Sequence, residues 1–141
     1  MDTASKKRKS GIPTGNAGEY FVMGELLRRG YDAQLADRNT KGYDILARRS
    51  PDEHFREIQI KTVRTDPWYI SMSQFTNGGL EHITVYVLLG SESCFHAVRS
   101  FITKNCDVAA HAAKPQNWRD HGFMRLKALT PFEEKWDALF S

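Results

Sequence analysis

Apolar residues follow a helical spacing early in the chain and a strand-like spacing after it. Between residues 17 and 27, apolar side chains recur at intervals of three and four, which predicts one apolar face of a helix. Asn16 is a typical N-cap residue, and Gly30 suits the C-terminal end of a helix. The pattern therefore predicts an amphipathic helix that begins at Asn16 and ends before Gly30.

Segments rich in β-branched and aromatic residues follow this helix, with turn-forming residues between them. Residues 83–89 are almost entirely apolar, which predicts a central buried strand. The sequence predicts strands at residues 31–36, 43–48, 55–63, 68–72, 83–89, 94–98 and 123–126. Helices are predicted at residues 101–113 and from Pro131 to the C-terminal residues. This order indicates an α/β fold, a single domain with a central mixed β-sheet flanked by helices.

The strand predicted at residues 55–63 has one apolar side and one polar side. Ile58 and Ile60 alternate with Gln59 and Lys61, so the isoleucines are expected to face the core. Glu57 lies on the polar side as well. This side of the strand therefore presents a carboxylate, an amide and an ammonium group in a row.

The length and composition are those of an ordinary globular domain. The chain has 141 residues, of which 40% are hydrophobic and 26% are charged. No apolar run is long enough to span a membrane, and no apolar segment follows the basic start as in a secretory signal. Cys94 and Cys106 lack metal-binding spacing, which favours two reduced thiols. We therefore expect a cytoplasmic protein.

Positive charge is concentrated in the N-terminal half. Residues 1–64 carry 13 Lys and Arg against 9 Asp and Glu, whereas the whole chain has a net charge of +3. We predict that residues 1–14 form a flexible basic arm and that residues 15–141 form the single domain. The basic run at residues 6–9 can bind phosphate backbones, although a solubilising tail explains it equally well.

A carboxylate inside a predicted strand is the first candidate for chemistry. Asp44 interrupts an apolar strand pattern, where a carboxylate is disfavoured. A hairpin that turns near Asp52 brings Gln59 and Lys61 opposite Asp44, within a residue or two of register. Oxygen ligands of this kind suit hard divalent cations such as Mg²⁺, and a lysine beside the metal can activate water or stabilise charge on a phosphate.

Glu19 offers a second carboxylate from the opening helix. A helix packed across the sheet would bring Glu19 to the same place. Taken singly, each residue has an ordinary explanation: Glu19 suits the dipole of a helix first turn, and Gln59 and Lys61 suit a solvated strand face. Only their combination favours a site.

Three segments in this order resemble the motifs of the PD-(D/E)XK nuclease superfamily, especially its restriction endonuclease-like and Holliday junction resolvase-like branches. They are Gly15-Asn16-Ala17-Gly18-Glu19, Gly42-Tyr43-Asp44-Ile45-Leu46 and Ile58-Gln59-Ile60-Lys61-Thr62. The resemblance covers residues 15–64, extends loosely to the strands after residue 83, and hardly reaches the C-terminal part. It implies a restriction endonuclease-like fold.

The resemblance implies a role for each candidate residue. Asp44 would be the central metal ligand, Lys61 the catalytic lysine and Glu19 the carboxylate from the helix. Gln59 stands where the family has Asp or Glu, so this is a Gln-x-Lys variant with less negative charge at the metal. Glu57, on the same face, could compensate as a further metal ligand.

The implied function is a metal-dependent nuclease that hydrolyses DNA phosphodiester bonds with Mg²⁺ or Mn²⁺. The alternative is a non-catalytic nucleic-acid-binding or protein-interaction module on the same fold, which Gln59 favours. The implied partners are DNA and, by analogy with nucleases that cut two strands as dimers, a second copy of the chain. Neither a membrane nor a small-molecule cofactor is expected. The form of the nucleic acid stays open.

Basic and aromatic residues supply candidates for nucleic-acid contacts. Trp68, Tyr69 and Phe75 can stack on bases, although core packing is the commoner role for such residues. A more distant alternative is a protein-binding surface made by Trp68, Tyr69 and the C-terminal helix with Trp136. The candidates for phosphate contacts are Arg38, Lys41, Arg48, Arg64, Lys6, Lys7, Arg8 and Lys9.

Overall fold

The fold is given by a computed structural model that describes residues 11–37, 43–76 and 78–140. Its α-helices are α1 (Ile12–Arg28), α2 (Asn105–Val108) and α3 (Leu126–Leu129). Its strands are β1 (Asp32–Leu35), β2 (Ile45–Arg48), β3 (Arg56–Val63), β4 (Trp68–Ser71), β5 (Ile83–Ser91), β6 (Cys94–Lys104) and β7 (His121–Met124). Short 3-10 helices cover Met72–Phe75, Gly79–Glu81, Ala109–His111, Thr130–Phe132 and Trp136–Phe140. Within these ranges, no helix is long and apolar enough to cross a membrane.

Five of the strands form one mixed sheet in the order β1-β2-β3-β5-β6. β3 and β5 run parallel, whereas the other neighbours are antiparallel. Between β3 and β5 the chain passes through β4, which pairs with β7 in a separate two-stranded sheet. The predicted fold class, a single α/β domain with a central mixed sheet and flanking helices, is therefore confirmed.

One face of the sheet is covered by α1. Val22 and Leu26 of this helix belong to the same buried cluster as Ile58 and Ile60 of β3. Both isoleucines are buried, whereas Gln59 between them is only half-buried, so the predicted alternation of β3 is confirmed. The burial of these isoleucines holds the helix over β3 and leaves the polar side of the strand free for other contacts.

α1 comes very close to β3 at Gly18. A Cβ atom at this position would overlap the side chain of Thr62 in β3, so only glycine allows the two backbones to approach this far. The next residue along the helix is Glu19. The close approach therefore fixes the distance between the Glu19 backbone and the sheet.

Aromatic residues fill the opposite face. Trp68 packs edge to face on Tyr86 and Phe101, with ring centroids 5.7 Å and 5.9 Å away. The indole N–H of Trp68 donates to the carbonyl oxygens of Lys61 and Val87, which belong to the two parallel strands. β4 is thereby attached to the backbones of both β3 and β5, next to Lys61.

The first helix begins earlier than its sequence pattern indicates. Its first residue is Ile12 rather than Asn16, so residues 12–14, which the sequence assigns to the basic arm, are helical. Pro13 lies in the first turn, where the N–H that proline lacks would have no partner within the helix. The remaining part of the predicted arm, residues 1–10, lies outside the described residues.

The prediction of a helix at residues 101–113 is wrong. β6 continues through Lys104, and the α-helix that follows is only four residues long. Phe101 packs in the cluster on one face of the sheet and Ile102 in the cluster on the other. Because both faces of β6 are buried here, the alternation of polar and apolar residues that marks a half-buried strand is missing.

The prediction of an amphipathic helix from Pro131 is also wrong. Two short 3-10 helices occupy this region, and Glu134 between them has a φ of 59°. The backbone N–H of Glu134 donates to the carbonyl of Ser100 at 2.9 Å, which ties the segment to β6. The left-handed backbone at Glu134 ends the helical path, although Trp136, Leu139 and Phe140 of the predicted face are still buried.

Candidate active site

Asp44 lies directly before β2 and faces the middle of β3. The register pairs Ile45 with Ile58, so Asp44 stands beside Gln59, and the register expected from the hairpin is confirmed. The backbone N–H of Asp44 donates to the carbonyl of Ile58 at 2.8 Å. Its carboxylate Oδ2 accepts a hydrogen bond from the backbone N–H of Ile60, also at 2.8 Å. These two bonds, on either side of Gln59, hold the carboxylate against β3.

Glu19 reaches the same region from α1. Burial raises the pKa of Glu19, and the negative charge of Asp44 raises it further. The two carboxylates line one cavity of about 400 Å³, which we call the acidic cavity. Its wall also includes a third acidic residue, Asp37, and the polar residues Asn16 and Tyr43. Two like charges near each other, one of them partly desolvated, are a costly arrangement that a bound cation would relieve.

Lys61 lies two residues beyond Gln59 on the polar side of β3. Burial lowers the pKa of the Lys61 ammonium group, and the negative charge of Asp44 partly offsets this effect. A lysine with a lowered pKa gives up its proton more readily than an exposed one, which suits proton transfer. Gln59 and Lys61 line a second cavity of about 320 Å³, which we call the neutral cavity because its other walls carry uncharged groups such as Ser73 and Gln74.

The donor atoms fit a hard divalent cation. Glu19, Asp44 and Gln59 offer two carboxylates and one amide oxygen, which are ligands that Mg²⁺ and Mn²⁺ accept. None of the ion pairs between described residues involves Glu19 or Asp44. No cluster of three or more His, Cys, Asp or Glu occurs in the described parts of the chain. Gln59 lines the neutral cavity rather than the acidic cavity, so its role as a third protein ligand stays a prediction.

Glu57 stands apart from this set. It is exposed and pairs with Leu46, two residues along β3 from the position opposite Asp44. It lines neither the acidic cavity nor the neutral cavity. Its role as a metal ligand therefore stays a prediction without a supporting contact.

Two of the basic residues predicted to contact phosphate lie in the described part of the chain, and both have partners in the fold. Arg48 forms an ion pair with Asp32 at 2.7 Å. Arg64 donates to the carbonyl of Gly90 at 3.3 Å and lies 3.9 Å from Glu92. Their charges are therefore partly balanced within the protein. The other candidates, outside the described residues, are Lys6, Lys7, Arg8, Lys9, Arg38 and Lys41.

The aromatic residues proposed for base stacking or protein binding are mostly in the core. Trp68 and Trp136 are 1% exposed and Phe75 is 9% exposed. The prediction that Trp68 and Phe75 stack on bases is therefore wrong. The predicted protein-binding surface made by the two tryptophans is wrong for the same reason. Tyr69 differs, because it is 67% exposed and its ring lies 6.1 Å from that of Trp118. Only Tyr69 of this group is open to solvent.

The neutral cavity is a feature that the sequence does not predict. Its walls come from β3, from the segment between β4 and β5, and from the start of α2, which are far apart in the chain. The only sequence signal is a concentration of uncharged polar residues at positions 71–76. That composition alone is typical of any surface loop.

Known structures identify the fold. The chain is similar to Hjc, a Holliday junction resolvase from the archaeal hyperthermophile Archaeoglobus fulgidus, with a TM-score of 0.55 and 16% identity over 89% of this chain and 94% of that chain. It is also similar to the bacterial homing endonuclease I-Ssp6803I, with a TM-score of 0.53 and 13% identity over 92% of each chain. No protein-family model and no curated protein matches the sequence.

Both structural neighbours are nucleases, and the chain has the restriction endonuclease-like nuclease fold that they share. At this level of sequence identity, the likeness shows the fold alone. The resemblance read from the sequence motifs is thus confirmed for the fold, whereas the Gln-x-Lys variant remains a prediction.

Proposed function

We propose that this chain is a metal-dependent nuclease that hydrolyses DNA phosphodiester bonds. The observation that carries the proposal is the position of Asp44, whose carboxylate is held on the Ile60 N–H and acts electrostatically on both Glu19 and Lys61. Two carboxylates and a desolvated lysine at one end of a sheet form a constellation suited to phosphoryl chemistry. The nuclease folds of the two structural neighbours support this assignment.

Each residue has a separate task in the proposed reaction. Glu19, Asp44 and Gln59 would hold Mg²⁺ or Mn²⁺, which supplies Lewis acidity toward a phosphate oxygen and lowers the pKa of water. Asp44 is held in place by its hydrogen bonds to β3, so it needs little reorganisation to act as a ligand. Neutral Lys61 can accept a proton from the attacking water, and its protonated form can donate a hydrogen bond to a phosphate oxygen.

The proposal extends to partners and location. DNA is the proposed partner, and two copies of the chain would act together where both strands of a duplex are cut. The basic residues outside the described part of the chain are proposed to contact phosphates, since counterion release gives lysine and arginine a general affinity for nucleic acid. The proposed compartment is the cytoplasm.

Gln59 favours a second candidate function, a non-catalytic nucleic-acid-binding or protein-interaction module on the same fold. Glutamine supplies an oxygen but no negative charge, so this site holds a cation less strongly than one with a third carboxylate. A module of this kind would need neither the metal nor the lowered pKa of Lys61. Metal binding therefore separates the two candidates.

A cleavage assay tests the nuclease. Plasmid, linear, branched and single-stranded DNA are incubated with the protein in Mg²⁺, in Mn²⁺ and in EDTA. We expect cleavage with the metals only. Lys61→Ala and Asp44→Asn should lose at least a hundredfold in rate, because each removes a group that acts on the reacting atoms. The matched controls, Lys135→Ala and Asp52→Asn, change exposed residues outside both cavities and should cleave like the wild type.

Metal binding is measured separately from cleavage. A cation that binds only the folded protein raises its stability by about 2.7 kcal/mol at one hundred times its dissociation constant. The melting temperature should therefore rise with Mn²⁺ in the wild type, rise more in Gln59→Glu, and stay unchanged in Asp44→Asn. Binding of DNA without cleavage, and without any metal effect on melting, would establish the module instead.

A further inference from the structure

The neutral cavity lies directly beside the proposed catalytic residues. Gln59, which the strand register places beside Asp44, and Lys61 form one of its walls. Its volume of about 320 Å³ is at the lower end of the range of about 300–1,000 Å³ typical of small-ligand sites. A molecule in this cavity would therefore lie next to a phosphate held at Asp44 and Lys61.

The cavity walls carry neutral donors and acceptors of hydrogen bonds. Among the described residues that line the cavity, Lys61 is the only Lys or Arg, and none carries a carboxylate. Its other polar side chains are hydroxyls, amides and one imidazole, from Ser71, Ser73, Thr76, Gln59, Gln74, Asn105 and His82. Such groups suit the edge of a nucleobase or a sugar hydroxyl, whereas a second phosphate would call for more arginine or lysine.

The wall opposite β3 is preorganised by Asn105. This buried residue donates from Nδ2 to the carbonyls of Gln74 and Gly79, at 3.0 Å and 2.9 Å. Its Oδ1 accepts from the hydroxyl of Thr84 at 2.7 Å, and its backbone N–H donates to the carbonyl of His82 at 2.9 Å. Asn105 thus fixes three points of the segment that closes the cavity, which lowers the entropy cost of binding there.

Gln74 has hydrogen-bonding capacity that the fold leaves unused. Its Nε2 donates to the phenol oxygen of Tyr86 at 3.2 Å, while its Oε1 is buried and has no partner among the described residues. An unpaired buried acceptor costs about 1–3 kcal/mol. Burial raises the pKa of Tyr86 to about 12, so the phenol keeps its proton and remains a stable support for the amide. A donor on a ligand would relieve this cost once the amide turns into the cavity.

We propose that the neutral cavity binds the nucleoside next to the scissile phosphate, with its base unpaired and unstacked. The cavity, of about 320 Å³, suits one base rather than a series of stacked pairs, so the nucleotide must leave the stack to enter it. This inference rests on the proposed nuclease function. It adds a substrate preference: DNA with an unpaired nucleotide at the cut is favoured over continuous duplex.

Nucleotide binding is tested by NMR on the full 16.1 kDa chain in EDTA, where no cleavage interferes. The four deoxynucleoside 5′-monophosphates are titrated in turn, with inorganic phosphate and deoxyribose 5-phosphate as controls. We expect shifts of the Gln74 side-chain amide, of the backbone amides of residues 71–76 and of the His82 imidazole with at least one nucleotide. Equal shifts with inorganic phosphate alone would overturn the proposal, since the cavity would then be an anion site.

Two variants have close controls in the same chain. Ser73→Ala removes one hydroxyl of a serine pair at 2.7 Å, and Ser93→Ala removes one of a similar exposed pair at 3.4 Å. His82→Ala is matched by His54→Ala, an exposed histidine at the turn before β3. We expect Ser73→Ala and His82→Ala to weaken nucleotide binding at least threefold and both controls to leave it unchanged. Wild-type binding by both cavity variants contradicts the proposal.

The outcomes for the cavity and for the nuclease are separable. Nucleotide-induced NMR shifts without metal-dependent cleavage would support the base site and contradict the nuclease function. Metal-dependent cleavage without nucleotide-induced NMR shifts would support the nuclease function and contradict the base site. If both hold, an oligonucleotide duplex with one unpaired nucleotide should be cut at least tenfold faster than the fully paired duplex, and Ser73→Ala should reduce this ratio.

Discussion

Alanine at Gly18 is expected to destabilise the protein, although alanine at Gly24 in the same helix is expected to stabilise it. Alanine is more favourable than glycine inside a helix by about 1 kcal/mol. An added Cβ at Gly24 would have no atom of the structurally described chain within 4 Å, so the full gain is available there. At Gly18, the added Cβ overlaps Thr62 and requires part of the structure to move.

The loss of stability in Gly18→Ala depends on which Thr62 atoms the added Cβ would overlap. Rotation of the side chain moves Oγ1 and Cγ2 but leaves Cβ, which lies 2.7 Å from the added carbon. Either α1 or β3 must therefore shift, and overpacking of this kind costs about 1–3 kcal/mol. After the gain in helix propensity, Gly18→Ala should lose up to roughly 2 kcal/mol of stability, whereas Gly24→Ala should gain up to about 1 kcal/mol.

Urea unfolding, followed by tryptophan fluorescence, measures the free energy of unfolding of both variants. The melting temperature should change by roughly 3–5 °C per kcal/mol for a domain of this size. A double variant, Gly18→Ala with Thr62→Gly, should be more stable than the sum of the two single changes by at least about 0.5 kcal/mol, because the overlapping atoms are then absent. A Gly18→Ala protein as stable as Gly24→Ala refutes the close approach of α1 and β3.

Two further predictions concern other parts of the fold. Asn105→Ala should cost about 3 kcal/mol in urea unfolding, because it leaves the Gln74 and Gly79 carbonyls buried without their donor, while Asn117→Ala at an exposed turn should change stability by less than about 0.5 kcal/mol. The two hydrogen bonds from Arg99 lower the pKa of Glu133 below 4.5, so their contribution is present above that pH and is lost as the pH falls through the folded pKa. The difference in unfolding free energy between wild type and Arg99→Ala should accordingly shrink between about pH 7 and pH 3, and a constant difference would contradict the ion pair.

The sequence predicted strands that show either a clear alternation, as in β3, or a continuous apolar run, as in β5. β3 was predicted with the correct faces because Ile58 and Ile60 alternate with polar residues, and a period of two is specific to strands. The end of β6 was not predicted, since Phe101 and Ile102 are both buried and give no alternation. The C-terminal segment follows a helical spacing but is set by a long-range contact of Glu134 with β6, which no local pattern encodes.

The candidate site was predictable only where it depends on one hairpin and one motif. The β2–β3 hairpin places Asp44 beside Gln59 by register alone, whereas Glu19 was predicted from a helix packed across the sheet and then from the family resemblance. The neutral cavity could not be predicted because the parts of its wall meet only after β4 has crossed to the far face of the sheet. Long-range topology, rather than residue type, creates that cavity.

The parallel pairing of β3 with β5 has a consequence for the synthesis of the protein on the ribosome. All the residues of the proposed metal site precede residue 64, but the partner strand of β3 is completed only at residue 91. At about 5–20 residues per second, the nascent chain exposes the open edge of β3 for about one to six seconds. An unpaired, isoleucine-containing strand edge is a template for aggregation. The half of the chain that holds the proposed metal site thus depends on the later half to remain soluble while it is being made.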